Sequence, residues 1–123
     1  MRNFFFIHKK RHKKVLLEFQ ENLCEEIKEN VHLTFSFDWC LEVMKQNVSK
    51  GNAITKLSKF LQIPVTRSIG FGDGMNDIEM LSTVNKAIVM ENAPEEVKQT
   101  LCHAEVIGNC IDESVAKYLA NLI

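Results

Sequence analysis

From Lys50 onward, short apolar runs alternate with stretches of helical period, and this rhythm restricts the fold more than any other feature of the chain. A helix is predicted over residues 50–61, with Ala53, Ile54, Leu57, Phe60 and Leu61 facing inward and Pro64 closing it off. A strand over 67–71, a helix over 76–83, a strand over 86–90 and a helix over 94–101 follow, then a short strand at 105–107 and a terminal helix over 112–122. Strands that alternate with helices are joined by crossovers and therefore run parallel. The earlier part reads differently: a strand over 4–7, an amphipathic helix over 15–30 with Leu16, Phe19, Leu23 and Ile27 on one face, and strands over 32–37 and 39–44. The expectation is an α/β chain in two parts, residues 1–46 and 47–123. No Pro- or Gly-rich linker marks the join.

With 123 residues, 46% of them hydrophobic and 25% charged, the chain has enough apolar material for one ordinary core. A net charge of -1 gives no global reason to expect a nucleic-acid or membrane partner. The run His8-Lys9-Lys10-Arg11-His12-Lys13-Lys14 could track phosphates, but it lacks interleaved aromatics and adjoins a glutamate-rich helix, so a solvated loop and helix start is favoured. Cys24, Cys40, Cys102 and Cys110 show no zinc-like spacing. They read as reduced, mostly buried thiols of a cytoplasmic protein. No apolar run approaches the length of a membrane span.

The stretch Ser68-Ile69-Gly70-Phe71-Gly72-Asp73-Gly74-Met75-Asn76-Asp77 packs two carboxylates and an amide where a strand runs out. In parallel sheets ligands gather beyond the carboxyl ends of strands, so Asp73, between two permissive glycines, is aimed at a crevice. Asn76 and Asp77 then begin a helix whose free N–H groups favour an anion such as phosphate. A carboxylate beside a phosphate calls for a cation between them, and magnesium commonly takes one or two carboxylates plus substrate oxygens. A purely structural reading stands beside this one: a Gly-Asp-Gly turn with Asn76 as helix cap and Glu79 as its reciprocal partner. A calcium loop is excluded, because Met75, Ile78 and Val84 fall where ligands or glycine are required. Lys50 stands at a helix start, where its ammonium could reach the same crevice, or simply be solvated after a Ser49 cap. It is not a Walker-type lysine, since no glycine-rich run precedes it.

Three stretches taken together, LEVMKQNVSKG at 41–51, SIGFGDGMNDIEML at 68–81 and KAIVMENAPEEVK at 86–98, resemble the haloacid dehalogenase superfamily, specifically its Cof-type branch of sugar-phosphatase-like proteins with an inserted α/β cap. Within that branch, LEVM, FGDGMND and EVIGNCIDESVAKYL look most like bacterial pyridoxal-phosphate phosphatases. The resemblance implies the C-terminal half of a Rossmann-like core, a parallel sheet with flanking helices, at 47–123, preceded by the end of the cap at 1–46. It implies hydrolysis of phosphate monoesters, pyridoxal phosphate or sugar phosphates, through an aspartyl-phosphate with Mg2+ as cofactor. By this likeness Lys50 neutralises the nucleophile and the transferring phosphate, Asp73 binds the metal, and Asp77 orients metal-bound water or the lysine. Asn76 and Asn92 match positions bordering the substrate phosphate.

The departures carry as much meaning. Family members begin with a strand ending in D-x-D-G-T, whereas the aspartates here are Asp38, Asp73, Asp77 and Asp112, no two of them separated by a single residue. Asp38, in the cap-like part, is not a substitute nucleophile. Glu91 and Ser114 stand where glycine is usual, and Asn85 at a turn that often carries glycine, with asparagine tolerating left-handed angles. The expectation is therefore a truncated phosphatase, inactive or very feeble alone, whose partners would be a small phosphorylated metabolite and a separate N-terminal fragment. Exposed strand edges should make it poorly soluble or self-associating. The alternative is a non-catalytic remnant that binds a phosphorylated ligand or a partner.

Overall fold

The computed structural model describes residues 4–7 and 12–123. Residues 8–11 of the basic run lie outside the described residues. The remainder of that run opens a helix, and Lys13 is committed to ion pairs with Asp38 and Glu96.

The first layer is an antiparallel sheet of three strands in the order β1-β3-β2, with β1 Phe4–Ile7, β2 Val31–Phe37 and β3 Cys40–Lys45. Between β1 and β2 the chain forms two helices, α1 Lys13–Glu21 and α2 Glu25–Asn30, instead of the single helix expected over 15–30. The interruption has a local cause: the Asn22 side chain donates to the Glu18 carbonyl at 2.7 Å and the Lys28 ammonium to the Glu21 carbonyl at 2.9 Å. The Glu21 carbonyl is one that a continuing helix would use, whereas the Glu18 carbonyl still accepts the Asn22 N–H at 3.1 Å. Leu16, Phe35 and Leu41 form this layer's small core.

The second layer is a parallel sheet in the order β4-β5-β6, built from β4 Ile69–Gly72, β5 Lys86–Met90 and β6 Glu105–Ile107. Its helices are α3 Lys50–Leu61, α4 Ile78–Thr83, α5 Glu95–Thr100 and α6 Ser114–Ala120. Ala87, Ile88, Val89 and Met90 of the middle strand are all buried, as expected where helices cover both faces. The main core joins Leu81, Val84, Val89, Val97 and Leu101. Met75 packs against this core and against the smaller one, so a single flexible side chain fastens the two layers beside Asp73.

Several expectations need correction. In α3 the packed face is Gly51 and Ile54, while Ala53, Leu57, Phe60 and Leu61 are exposed, Phe60 at 84%. The reason is the close approach of α3 to α4 at Gly51, where a Cβ would sit 2.6 Å from Glu79 Cγ. That contact turns the larger apolar side chains outward. Of the four cysteines only Cys40 is buried. The terminal helix is preceded by a separate 3-10 turn, Cys110–Asp112, and the left-handed residue between them is Glu113 at φ 56°, next to Ser114 where glycine was missed. Asn85 is not left-handed; Asn47 and Gln62 are.

Candidate functional site

β4 ends at Gly72, and the chain returns through Asp73 and Gly74 into a 3-10 turn, Met75–Asp77, before α4 starts. The return tucks Asp77 under the end of the strand. A Cβ on Gly72 would fall 2.6 Å from Asp77 Cβ, so glycine is what leaves room for that side chain. Asp77 is 5% exposed. Its Oδ2 accepts the N–H groups of Asp73 and Gly74, each at 3.0 Å, and its Oδ1 receives the Lys50 ammonium. A buried carboxylate is tolerable when donors and a counter-charge of this kind surround it.

Lys50 reaches Asp77 because Ser49 caps α3: the Ser49 hydroxyl accepts the Asn52 N–H at 3.1 Å, which fixes the first helical residue at position 50. Asp73 is exposed, and its Oδ2 accepts the Asn92 amide at 2.9 Å. Asn92, just after β5, is itself held by the Cys110 N–H, 3.1 Å from its Oδ1. The carboxyl ends of β4 and β5 therefore converge on Asp73, as the parallel-sheet argument requires.

Two expectations about this turn change. Asn76 is not a cap: Gly74 is the N-cap of the 3-10 turn, and Asp77, not Glu79, is the residue whose side chain reaches back to the cap N–H. Of the N–H groups expected to face an anion at this helix start, that of Asp77 donates to the Gly74 carbonyl at 3.0 Å, and the preceding N–H groups of Asp73 and Gly74 are taken by the Asp77 carboxylate. Nor do all the candidates share one crevice. Asp73 and Asn92 line a cleft of about 270 Å³ whose other wall is Phe35, Phe37 and Asp38 from the β2–β3 hairpin. Lys50 and Asn76 line a second cleft of about 230 Å³, beside His32 and Thr34. Asp77 draws Lys50 to its own side of the turn and is the link between the clefts.

Hairpin residues at the first cleft were not assigned a site role in the sequence. The sequence places a break at Asp38 and puts Trp39 in the second strand of the hairpin, whereas Trp39 belongs to the turn, and the position of that turn over Asp73 depends on how the two sheets pack. The Lys13 ammonium bridges Asp38 at 3.4 Å and Glu96 at 3.1 Å. Burial pulls the affinity of Lys13 for its proton down, but the two carboxylates outweigh this and hold it above the usual ammonium range.

For a divalent cation the donor set fits as one ligand of a site. Asp73 offers an exposed carboxylate, and no group of three His, Cys, Asp or Glu among the described residues could cage an ion. Magnesium is commonly held by one or two carboxylates with water and phosphate oxygens, so Asp73 suits it and would need those further ligands.

A profile of haloacid dehalogenase-like hydrolases matches residues 2–119. The chain belongs to this family. This haloacid dehalogenase-like chain is 40% identical over 106 residues to an HMP-PP phosphatase of Cronobacter sakazakii, covering 86% of itself and 39% of that protein. To the HMP-PP phosphatase of Serratia proteamaculans it is 41% identical over 104 residues, covering 85% of itself and 38% of the relative. A solved haloacid dehalogenase-like hydrolase from B. subtilis superposes with a TM-score of 0.78 at 26% identity, over 98% of this chain and 40% of that one. The chain thus spans roughly two fifths of the length of these relatives. The α/β fold expected from the sequence is the fold of these neighbours, and no helix among the described residues is long and apolar enough to cross a membrane.

Proposed function

We propose that Lys50, Asp73, Asn76, Asp77 and Asn92 form the charge-neutralising and metal-holding half of a cytoplasmic phosphatase site, and that hydrolysis requires an attacking carboxylate from a segment bearing D-x-D-G-T. The observation that carries this is the buried Asp77, which holds the Lys50 ammonium on one oxygen and the backbone of Asp73 on the other. Each residue then has a physical task. Asp77 positions Lys50, whose ammonium offsets the charge of a phosphoryl group and of the attacking carboxylate. Asn92 orients Asp73 towards a magnesium ion, which when bound polarises phosphoryl oxygens as a Lewis acid. Asn76, in the Lys50 cleft, offers an amide to the phosphate. Residues 1–46 serve as the end of the cap and 47–123 as the core half, with the change at Asn47, where the backbone turns left-handed.

The substrate is a small phosphorylated metabolite. The names of the relatives favour HMP-PP over the pyridoxal phosphate or sugar phosphates suggested by sequence. Without the D-x-D-G-T segment the covalent step has no nucleophile, and the same residues would bind a phosphorylated ligand without turnover. Adding a separately prepared D-x-D-G-T segment, with Mg2+, should restore release of phosphate from p-nitrophenyl phosphate and HMP-PP, and Lys50→Ala or Asp73→Asn should abolish it. A well-folded complex with no turnover would leave only the binding role.

A further inference from the structure

We propose that Phe37, backed by Trp39, is a specificity-determining residue of the cleft beside Asp73 and selects phosphorylated ligands that carry a planar aromatic ring over sugar phosphates. The inference deepens the functional reading above and rests on it for the place of the phosphate. β2 is bulged between Phe35 and Phe37, with Ser36 as the extra residue. In a regular strand Phe37 would follow Phe35 to the buried face, two residues on. The bulge takes it out of step, as bulges beside ligand sites commonly do. Phe35 is 8% exposed and Phe37 59%.

An exposed phenyl ring forgoes the stabilisation that burial would give it, and here that ring faces a cleft rather than open surface. Its orientation is fixed from the other side of the turn. Trp39 stacks on Phe37 with ring centroids 5.1 Å apart and planes 3° from parallel, an offset arrangement that leaves an aromatic platform at the hairpin tip. Across the cleft stand Asp73, to which the functional reading above gives the cation, and Asn92, so a phosphate shared between that cation and Lys50 would present its substituent on this side. A volume of about 270 Å³ holds one ring and a phosphate, with no space for a long chain. Asp38 on the platform side can accept a hydrogen bond from a ring N–H, amino or hydroxyl group. Of the two carboxylates in the lining, Asp38 is paired with the Lys13 ammonium at 3.4 Å, which leaves Asp73 as the one turned to a cation.

Calorimetric titrations of the full chain in Mg2+ with inorganic phosphate, phenyl phosphate, cyclohexyl phosphate and glucose 6-phosphate test the proposal. Phenyl phosphate should bind roughly threefold to tenfold tighter than cyclohexyl phosphate, the range of an aromatic pair beyond its area burial. Phe37→Leu should erase that preference and Phe37→Tyr keep it, with the Kd for inorganic phosphate unmoved in both, a pattern that general loosening of the hairpin would not produce. A ring preference that survives Phe37→Leu, or glucose 6-phosphate binding more tightly than phenyl phosphate, overturns the platform while leaving the phosphate site standing. No binding of any of the four to folded protein overturns both.

Discussion

At position 77 one carboxylate satisfies two backbone N–H groups and an ammonium, so its removal leaves donors stranded in a tight turn. Asp77→Ala should lower stability by about 2 kcal/mol in urea denaturation, the cost of unsatisfied buried donors. Asp77→Asn keeps an acceptor oxygen for the two N–H groups and should cost roughly half as much; equal losses would mean that the pairing with Lys50 dominates. The glycines make a sharper comparison. Gly72→Ala drives a methyl group to 2.6 Å from Asp77 Cβ in a buried place, whereas the clash of Gly51→Ala is with the exposed, flexible Glu79 side chain. The second also gains helix propensity, about 1 kcal/mol. Gly72→Ala should therefore lower the melting temperature clearly while Gly51→Ala leaves it nearly unchanged. The place of Asp73 just beyond a strand end was legible because the apolar run and its flanking glycines are local features of sequence. The commitment of the Asp73 and Gly74 N–H groups to Asp77 was not, because a four-residue return path has to be folded before its hydrogen bonds can be counted.

Elements were legible in existence and type where period and breakers agree: the strand Lys86–Met90 and the helix Lys50–Leu61 fall at the expected residues. The face of α3 was misread, since hydrophobicity alone marks Leu57, Phe60 and Leu61 as inward while the Gly51 approach decides the rotation. At the other side of the parallel sheet α6 is tied down by polar and aromatic contacts. Tyr118 meets Phe71 edge-on at 5.6 Å and donates to Glu105 at 3.2 Å, and Glu105 also receives the Lys86 ammonium at 2.9 Å. The Tyr118 hydroxyl and then Glu105 hold Lys86 above the usual ammonium range, and Lys86 first, then Tyr118, hold the Glu105 carboxyl below its own. A carboxyl depressed in the folded state stabilises above its unfolded value, near 4.3, and that contribution fades as pH falls through the folded one. The melting temperature of Glu105→Gln should therefore lie below wild type at pH 7 and meet it in the acid range below about pH 4.

In the whole molecule, the exposed stripe Leu57, Phe60 and Leu61 and the free side of β4 among the described residues leave apolar surface and strand edge together. Self-association is the expected result. In sedimentation velocity the wild-type chain should grow heavier with concentration, and Phe60→Glu should suppress that growth; a concentration-independent monomer would count against the expectation. The change of rhythm near Asn47 was read from sequence, and the strands before it form an antiparallel sheet and those after it a parallel one. What the rhythm did not reveal is the seam, because Met75 and Lys13 join layers through residues far apart in the chain. Trp39, the one indole in 123 residues, stands on one side of that seam. Its emission is therefore an optical gauge of the hairpin layer and blind to the other. On heating, fluorescence should fall ahead of far-ultraviolet dichroism, because the smaller cluster around Leu16, Phe35 and Leu41 is the first to loosen.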